Sequence, residues 1–449
     1  MEVKTRELEA RTLLALECAC RGYRVYLGNQ SHIRWALRKG ELPPGLFFDK
    51  SLTTGKERST QRLIDYGCTI ASIDEESGLL DESYDHFLDV RSNRFMVQSA
   101  SGIFCWGSHD YSAWTERYPE AKRRIHLTGS PRVDFWRSDF EPYYHDEVRM
   151  LRERLGEFVL VVTNMGYANG IVDLPEQIRI MRKDGTIKSS EDETRKRREF
   201  ADDQLMLEHF IQLVDHLGRE YPNTQFVLRP HPAERLDTWK QAMEGVDNVR
   251  VIREGSVSKW VRAAKAVIHE GDTTGLEARV SGTLPIAFVP FDSPRNREIP
   301  NRVSLACRTE ADVSRAVADA LSNETHGRLS DHDVEGLLQN RFANITGALA
   351  AERIASVLSK MPAPQVAPQR ISSRFRRKVL RSTVRRFVSQ RTGRLTRNMT
   401  KFSGLSHQEL RSLRSGLCRI RPEYSRVSIR KVFGHVFVLE QRDVQASDP

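Results

Sequence analysis

Two periods of apolar and polar positions alternate along the first third of the chain. "TRELEARTLLALECACRG" sets apolar residues at helical spacing and stops at Gly22, and "YRVYLG" follows as a short strand ending at Gly28. Further apolar runs, "GLFFDK", "CTIASID", "GIFCWGS" and "RIHLTGS", are separated by polar, helix-compatible stretches such as "DYSAWTERYPEAK". Strand alternating with helix is the rhythm of a parallel sheet, so residues 1–140 are expected to form an open α/β domain.

The same rhythm restarts at "EFVLVVTN", a continuous apolar run of the kind shown by a strand buried on both faces. A long helical pattern around "DDQLMLEHFIQLVDHLGREY" follows, then strands at "TQFVLRP", "NVRVIRE", "AKAVIHE" and "LPIAFVP". Between the first strand and that helix lies the charged segment "IVDLPEQIRIMRKDGTIKSSEDETRKRREF", expected to be an exposed helical insertion rather than a flap. Residues 155–360 therefore read as a second α/β domain, ending at the helix in "NITGALAAERIASVLSKM". Residues 361–370, with the prolines of "PAPQVAPQ", read as a linker, and residues 371–449 as a C-terminal extension. The expected architecture is two Rossmann-like domains facing a cleft, with ligands at the carboxyl ends of the strands.

Charge changes this picture in one place. The chain of 449 residues has a net charge of +10, but from Met361 onward 20 Lys and Arg face 5 Asp and Glu, so residues 1–360 sum to 10 − 15 = −5. An appended surface-binding segment on a mildly acidic body is the expectation. Neither a signal peptide nor an apolar run of about 18 residues occurs, which points to the cytoplasm, with peripheral attachment to the inner face of the membrane through the extension. The six cysteines show no paired or metal-ligand spacing and read as buried thiols.

Three segments after predicted strands hold candidate chemistry. In "SIDEESGLL", Asp74, Glu75 and Glu76 precede Gly78; adjacent carboxylates repel, which raises a pKa and suits a base or nucleophile, although a solvated acidic loop has the same composition. In "RPHP", Pro230 and Pro232 hold His231 on a rigid turn, with Arg229 beside it. In "VIHEGDTTGLEA", Gly271, Asp272, Thr273 and Thr274 open a helix whose N-terminus suits a phosphate, and Asp272 or Thr273 is expected to cap it. "TNMGYANG" offers Asn164 and Asn169 as contacts to donor phosphate or acceptor, and "LTGSPRVDF" reads as a domain-joining turn with Arg132 within reach of the cleft.

The acidic turn, the His-Pro and the paired hydroxyl residues together resemble the motifs of CMP-Kdo and CMP-sialic acid transferases of GT-B fold. More broadly, "KTRELEARTLLAL", "IDEESG", "CWGSHDYSAW", "LTGSPRVDFWR", "RPHPAE" and "HEGDTTGLEARVSGTLPIAF" resemble the bacterial surface carbohydrate biosynthesis protein family over about residues 3–295. The resemblance implies a glycosyltransferase using a CMP-activated sugar as donor substrate, with no other cofactor and no metal. It implies a catalytic carboxylate at Asp74, Glu75 or Glu76, contact of His231 with the CMP phosphate that it can protonate on departure, and hydroxyls of Thr273 and Thr274 on the same phosphate. Two departures stand out: threonine at the first hydroxyl position, and an extra residue before Gly78. The opening "MEVKTREL" lacks the strand that would precede the first helix of such a domain, so an incomplete edge or start is expected there.

In "SSRFRRKVLRSTVRRFVSQRTGRL", Phe375, Val379, Val384, Phe387 and Val388 read as one apolar stripe among arginines, the pattern of a helix on anionic lipid. Expected partners are thus a nucleotide sugar, a lipid-linked or oligosaccharide acceptor and an anionic membrane surface, but not nucleic acid. Two alternatives remain open at this point: a CDP-glycerol-type polyol phosphotransferase, and a non-catalytic scaffold or binding protein of the same fold.

Overall fold

Each early apolar run becomes a strand: β1 (Val25–Gly28), β2 (Leu46–Asp49), β3 (Thr69–Ile73), β4 (Ala100–Cys105) and β5 (Ile125–Leu127). The computed structural model describes residues 1–77, 84–184, 186–292, 299–322, 332–362, 371–391, 402 and 404–442. They divide into one unit of Met1–Tyr144 with Gly336–Pro449 and a second of His145–Glu335. In the first, β2, β3, β4 and β5 form a parallel sheet in sequential order. Helices of this unit start where side chains satisfy open backbone donors: Asn29 accepts from the His32 N–H at 3.2 Å, and Asn93 from the Met96 N–H at 2.9 Å.

The second unit holds β6 (Phe158–Thr163), β7 (Gln225–Pro230), β8 (Val249–Val251), β9 (Ala266–His269), β10 (Leu284–Phe288) and β11 (Leu305–Cys307). All pair in parallel, in the order β11-β10-β9-β6-β7-β8. Every residue of β6 is buried. Its two-residue period sends Val159 and Val161 into one core, and Phe158, Leu160 and Val162 into another. The chain begins at β6, runs outward to β8, then returns to β9 on the other side of β6 and runs outward to β11. That is the doubly wound order, and its reversal lies between β6 and β9. The charged insertion is helical, as expected, over Leu174–Asp184 and the start of Ser190–Glu220. Its charges neutralise one another at helical spacing: Arg195 with Asp192 at 2.6 Å, Arg197 with Glu193 at 2.8 Å, Lys196 with Glu199 at 2.6 Å.

The C-terminal third departs from the sequence expectation. Residues 336–360 belong with the first unit, not with 155–360, because Asp134 accepts from the Ala350 and Ala351 N–H groups at 2.9 and 3.0 Å and Ala343 N–H donates to the Trp106 carbonyl at 2.7 Å. "LTGSPRVDF" is accordingly a joint within this unit rather than between domains; Gly129 lies so close to Asn344 that a Cβ there would clash. The extension is not appended either. It ends in a hairpin of β12 (Val427–Phe433) and β13 (Val436–Gln441), and β13 pairs antiparallel with β1, Val25 opposite Leu439. β1 therefore belongs to a separate three-stranded sheet, not to the parallel one. β13 carries the continuous buried run Val436–Leu439, and β12 buries Val427, Ile429 and Phe433. Residues 363–370 of the expected linker lie outside the described residues.

Candidate functional site

The second unit gathers its candidate residues at the carboxyl ends of three neighbouring strands. Asn164 follows β6 and is exposed, His231 follows β7, and Gly271–Thr274 follow β9. Thr163 pairs with Pro230 across β6 and β7, and the His231 N–H donates to the Thr163 carbonyl at 3.1 Å.

The His231 turn is built on a residue that the sequence reading passed over. Glu234 is fully buried, and its carboxylate accepts from the His231 N–H (2.9 Å), the Thr163 hydroxyl (2.7 Å), the Trp239 indole N–H (2.9 Å) and the Asn169 amide (3.3 Å). Four donors on one buried carboxylate offset its desolvation and lock the turn. His231 itself is exposed, and its Nδ1 accepts from the Ala233 N–H at 3.2 Å, an arrangement that puts the proton of the uncharged ring on Nε2. Asn169 holds Glu234 and the Arg235 carbonyl rather than facing outward. The legible signal was Glu three residues after the histidine, the spacing at which a side chain can reach back to a turn's N–H.

Arg229 is a support. It donates to the Glu254 and Gly255 carbonyls at 2.9 and 2.6 Å and stacks on Trp260, and burial, then the neighbouring Arg253, pulls its guanidinium down to about 10. Arg253, not singled out in the sequence, donates to the His231 and Glu234 carbonyls, both at 2.9 Å.

In the loop after β9, Asp272 caps the helix Thr273–Ser281 by accepting from the Thr274 N–H at 2.5 Å. The Thr273 and Thr274 hydroxyls bond no other described residue. Gly271 adopts φ +118°, a conformation side chains disfavour. His269 holds this loop from beneath: its Nδ1 accepts from the Gly271 N–H at 3.0 Å, its Nε2 lies 2.8 Å from Ser304 Oγ, and Ser304 donates to the Pro300 carbonyl. Burial pulls the His269 pKa down to about 4, so the ring is neutral. Its face packs on Gly275, where a Cβ would come within 2.5 Å of the imidazole.

In the first unit the acidic turn follows β3 as expected, but its charges are answered by arginines. Arg91 grips Asp74 with Nε and Nη2 at 3.1 and 2.8 Å and reaches Glu76 at 2.9 Å. Arg11 meets Glu75 at 2.6 Å, Arg6 meets Glu76 at 3.1 Å, and Arg132 donates to the Glu75 carbonyl at 2.9 Å. Burial raises the Asp74 pKa despite Arg91, whereas Arg91 and Arg6 outweigh burial at Glu76 and lower its pKa. The expected mutual repulsion is thus not what sets these carboxyls. Of the three, Glu76 is the accessible one, with its side chain 40% exposed against 5% for Asp74 and 6% for Glu75. Behind the turn, buried Asp110 accepts from Ser77 at 2.9 Å and from the Trp106 and Gly107 N–H groups at 2.8 Å, and burial raises it to about 6. Gly78 lies outside the described residues, among which no three His, Cys, Asp or Glu side chains cluster as metal ligands would.

No protein-family model and no curated protein matches the chain. Among solved structures it is similar to a UDP-GlcNAc 2-epimerase of Methanocaldococcus jannaschii, at 13% identity over 74% of this chain and 79% of that one, with a TM-score of 0.46. It is similar also to the UDP-GlcNAc 2-epimerase of Neisseria meningitidis (12%, 74% and 80%, TM-score 0.45) and to the wall teichoic acid polymerase TagF (13%, 70% and 72%, TM-score 0.43). At that distance these likenesses assign neither substrate nor reaction. What the geometry offers by itself is a set of donors suited to a phosphate: the His231 Nε2–H, two threonine hydroxyls and a helix N-terminus, all at strand ends beside the reversal of one doubly wound sheet.

Proposed function

We propose that the protein is a glycosyltransferase of bacterial surface polysaccharide biosynthesis that transfers a Kdo-like or sialic-acid-like sugar from a CMP-activated donor to a glycan acceptor. The observation that carries this reading is the convergence of Asn164, His231 and Gly271–Thr274 on the carboxyl ends of β6, β7 and β9. In the transfer, the bond from the anomeric carbon to the CMP phosphate oxygen breaks, and CMP departs with the electron pair as a phosphate monoester. His231 donates a hydrogen bond from its Nε2–H to that phosphate, while the Thr273 and Thr274 hydroxyls and the helix N-terminus also stabilise its charge. The acceptor hydroxyl forms the new bond and gives up its proton to a carboxylate. Glu76 is assigned that role, because it is the accessible carboxylate of its turn and Arg91 and Arg6 keep it ionised.

The test is thermal unfolding with CMP, CDP, UDP and GDP, followed by product mass from CMP-Kdo, CMP-sialic acid and CDP-glycerol. Stabilisation by CMP and a product heavier by one sugar acid support the proposal. A glycerol phosphate increment would make the protein a polyol phosphotransferase, and nucleotide binding without turnover a binding protein.

A further inference from the structure

Helix Ser373–Arg391 contains eight Lys and Arg and no Asp or Glu. Of the apolar stripe expected from its sequence, Phe375 and Val379 lie on one face and Val384 on another, while the side chains of Phe387 and Val388 lie outside the described residues. Phe375 and Val379, 4% and 1% exposed, pack into the first unit's core with Trp35, Phe433 and Val436. Leu380 and Val384 are 63% and 51% exposed. At about 100° per residue the second pair lies about 140° around the helix from the first. The fold therefore uses one apolar face and leaves the other outward. Arg376, Arg377 and Arg381 stand three or four residues from Leu380 or Val384 and are exposed as well.

These charges differ from those of the insertion helix. There, basic residues meet carboxylates one turn away. Here, none of Arg374, Arg376, Arg377, Lys378 and Arg381 has an ion-pair partner among the described residues. Uncompensated arginines around an outward Leu-Val pair match a surface that is anionic at its outer layer and apolar just beneath. We propose that this outer face docks the first unit on an anionic lipid bilayer, with Leu380 and Val384 entering the headgroup boundary and Arg376, Arg377 and Arg381 on lipid phosphates. A nucleic acid would use the arginines but not the aliphatic pair. Because Phe375 and Val379 anchor the helix in the core and β13 pairs with β1, the bilayer contact is made by the folded unit itself rather than by a detachable tether. This inference does not depend on the proposed transfer, since docking is read without donor or acceptor.

The full chain is sedimented with vesicles of phosphatidylcholine alone and with about one third phosphatidylglycerol, at about 0.1 M and 0.5 M salt. Binding is expected only to the anionic vesicles and should weaken at the higher salt. Arg377→Gln with Arg381→Gln should lower the partition coefficient about 25-fold, at about 5-fold per arginine. Leu380→Ser with Val384→Ser should lower it at least about 10-fold. Both variants should melt at the wild-type temperature, since all four side chains are exposed. The proposal is overturned if wild type ignores anionic vesicles, if the Leu380/Val384 variant binds as wild type, or if an oligonucleotide is bound more tightly than the vesicles.

Discussion

The acidic turn Asp74–Glu76 and the His231 turn each follow a buried parallel strand, yet one is fixed by residues 70, 64 and 17 positions away and the other by a carboxylate three positions on. Arg6 and Arg11 come to the acidic turn from one helix, Lys4–Cys20, and Arg91 from another, Tyr84–Arg91, so its electrostatics depend on how the first unit assembles. Glu234 comes to His231 within one turn of chain, and only Asn169, Thr163 and Trp239 complete its shell. A charged cluster read along the sequence shows its own repulsion but not its counter-ions. A rigid turn shows most of its mount directly.

The largest expected effect is on the local side. His231→Ala should lower turnover by about 10²- to 10³-fold, the range for a lost hydrogen-bond donor to developing charge, with an unchanged melting temperature because the ring is exposed. Steady-state rates with a CMP-sugar check it, and full activity in a folded variant removes the histidine from the reaction. Glu76→Gln sharpens the comparison: kcat should fall with little change in CMP affinity, as for a group acting mainly in the transition state. Unchanged kcat would leave the acidic turn as a structural ion cluster.

Next comes stability on the distant side. Arg91→Met leaves Asp74 buried without its bidentate partner, a loss of about 3–5 kcal/mol for a broken buried pair, measurable by urea unfolding. Glu234→Gln should cost less, about 1–3 kcal/mol, because one amide donor must face a donor among Thr163, Asn169, Trp239 and the His231 N–H. It should also lower CMP affinity, which Arg91→Met should leave unchanged. If the two variants affected CMP affinity equally, the contrast between local and distant mounting would fail.

The sequence made β2 to β10 legible, because apolar runs bounded by polar helices state their own burial, and it placed the cap on Asp272 or Thr273, of which Asp272 is the cap, because capping is a local property. β11 was not read from its short apolar run Leu305–Cys307, although β5 and β8 are equally short. The C-terminal hairpin, with its apolar run Val436–Leu439, sits in a segment marked chiefly by its net positive charge, and the return of 336–442 to the first unit depends on pairings such as Val25 with Leu439, which no local pattern encodes. Phe375 and Val379 were correctly seen as apolar, but one face of a helix cannot be told from two until its neighbours are placed.

A further effect is one of pH. His269 is held near 4 by burial against about 6.5 in an unfolded chain, so between those values only the unfolded state gains the proton. Its stability contribution is complete above about pH 6.5 and is lost as pH falls toward 4, at up to about 1.4 kcal/mol per pH unit. His269→Gln should flatten that part of the curve of melting temperature against pH. An unchanged slope would mean that His269 is not the group responsible.

Everything proposed for the second unit rests on a phosphate held after β9. Calorimetric titration of the full chain with CMP, beside the Thr273→Ala/Thr274→Ala variant, measures this directly. Both hydroxyls lack a described protein partner, so the variant should keep its fold and bind CMP at least about 10-fold more weakly, a loss of about 1.4 kcal/mol. Equal CMP affinity in the two proteins, or no CMP binding by the wild type, would contradict a nucleotide-sugar site at these strand ends.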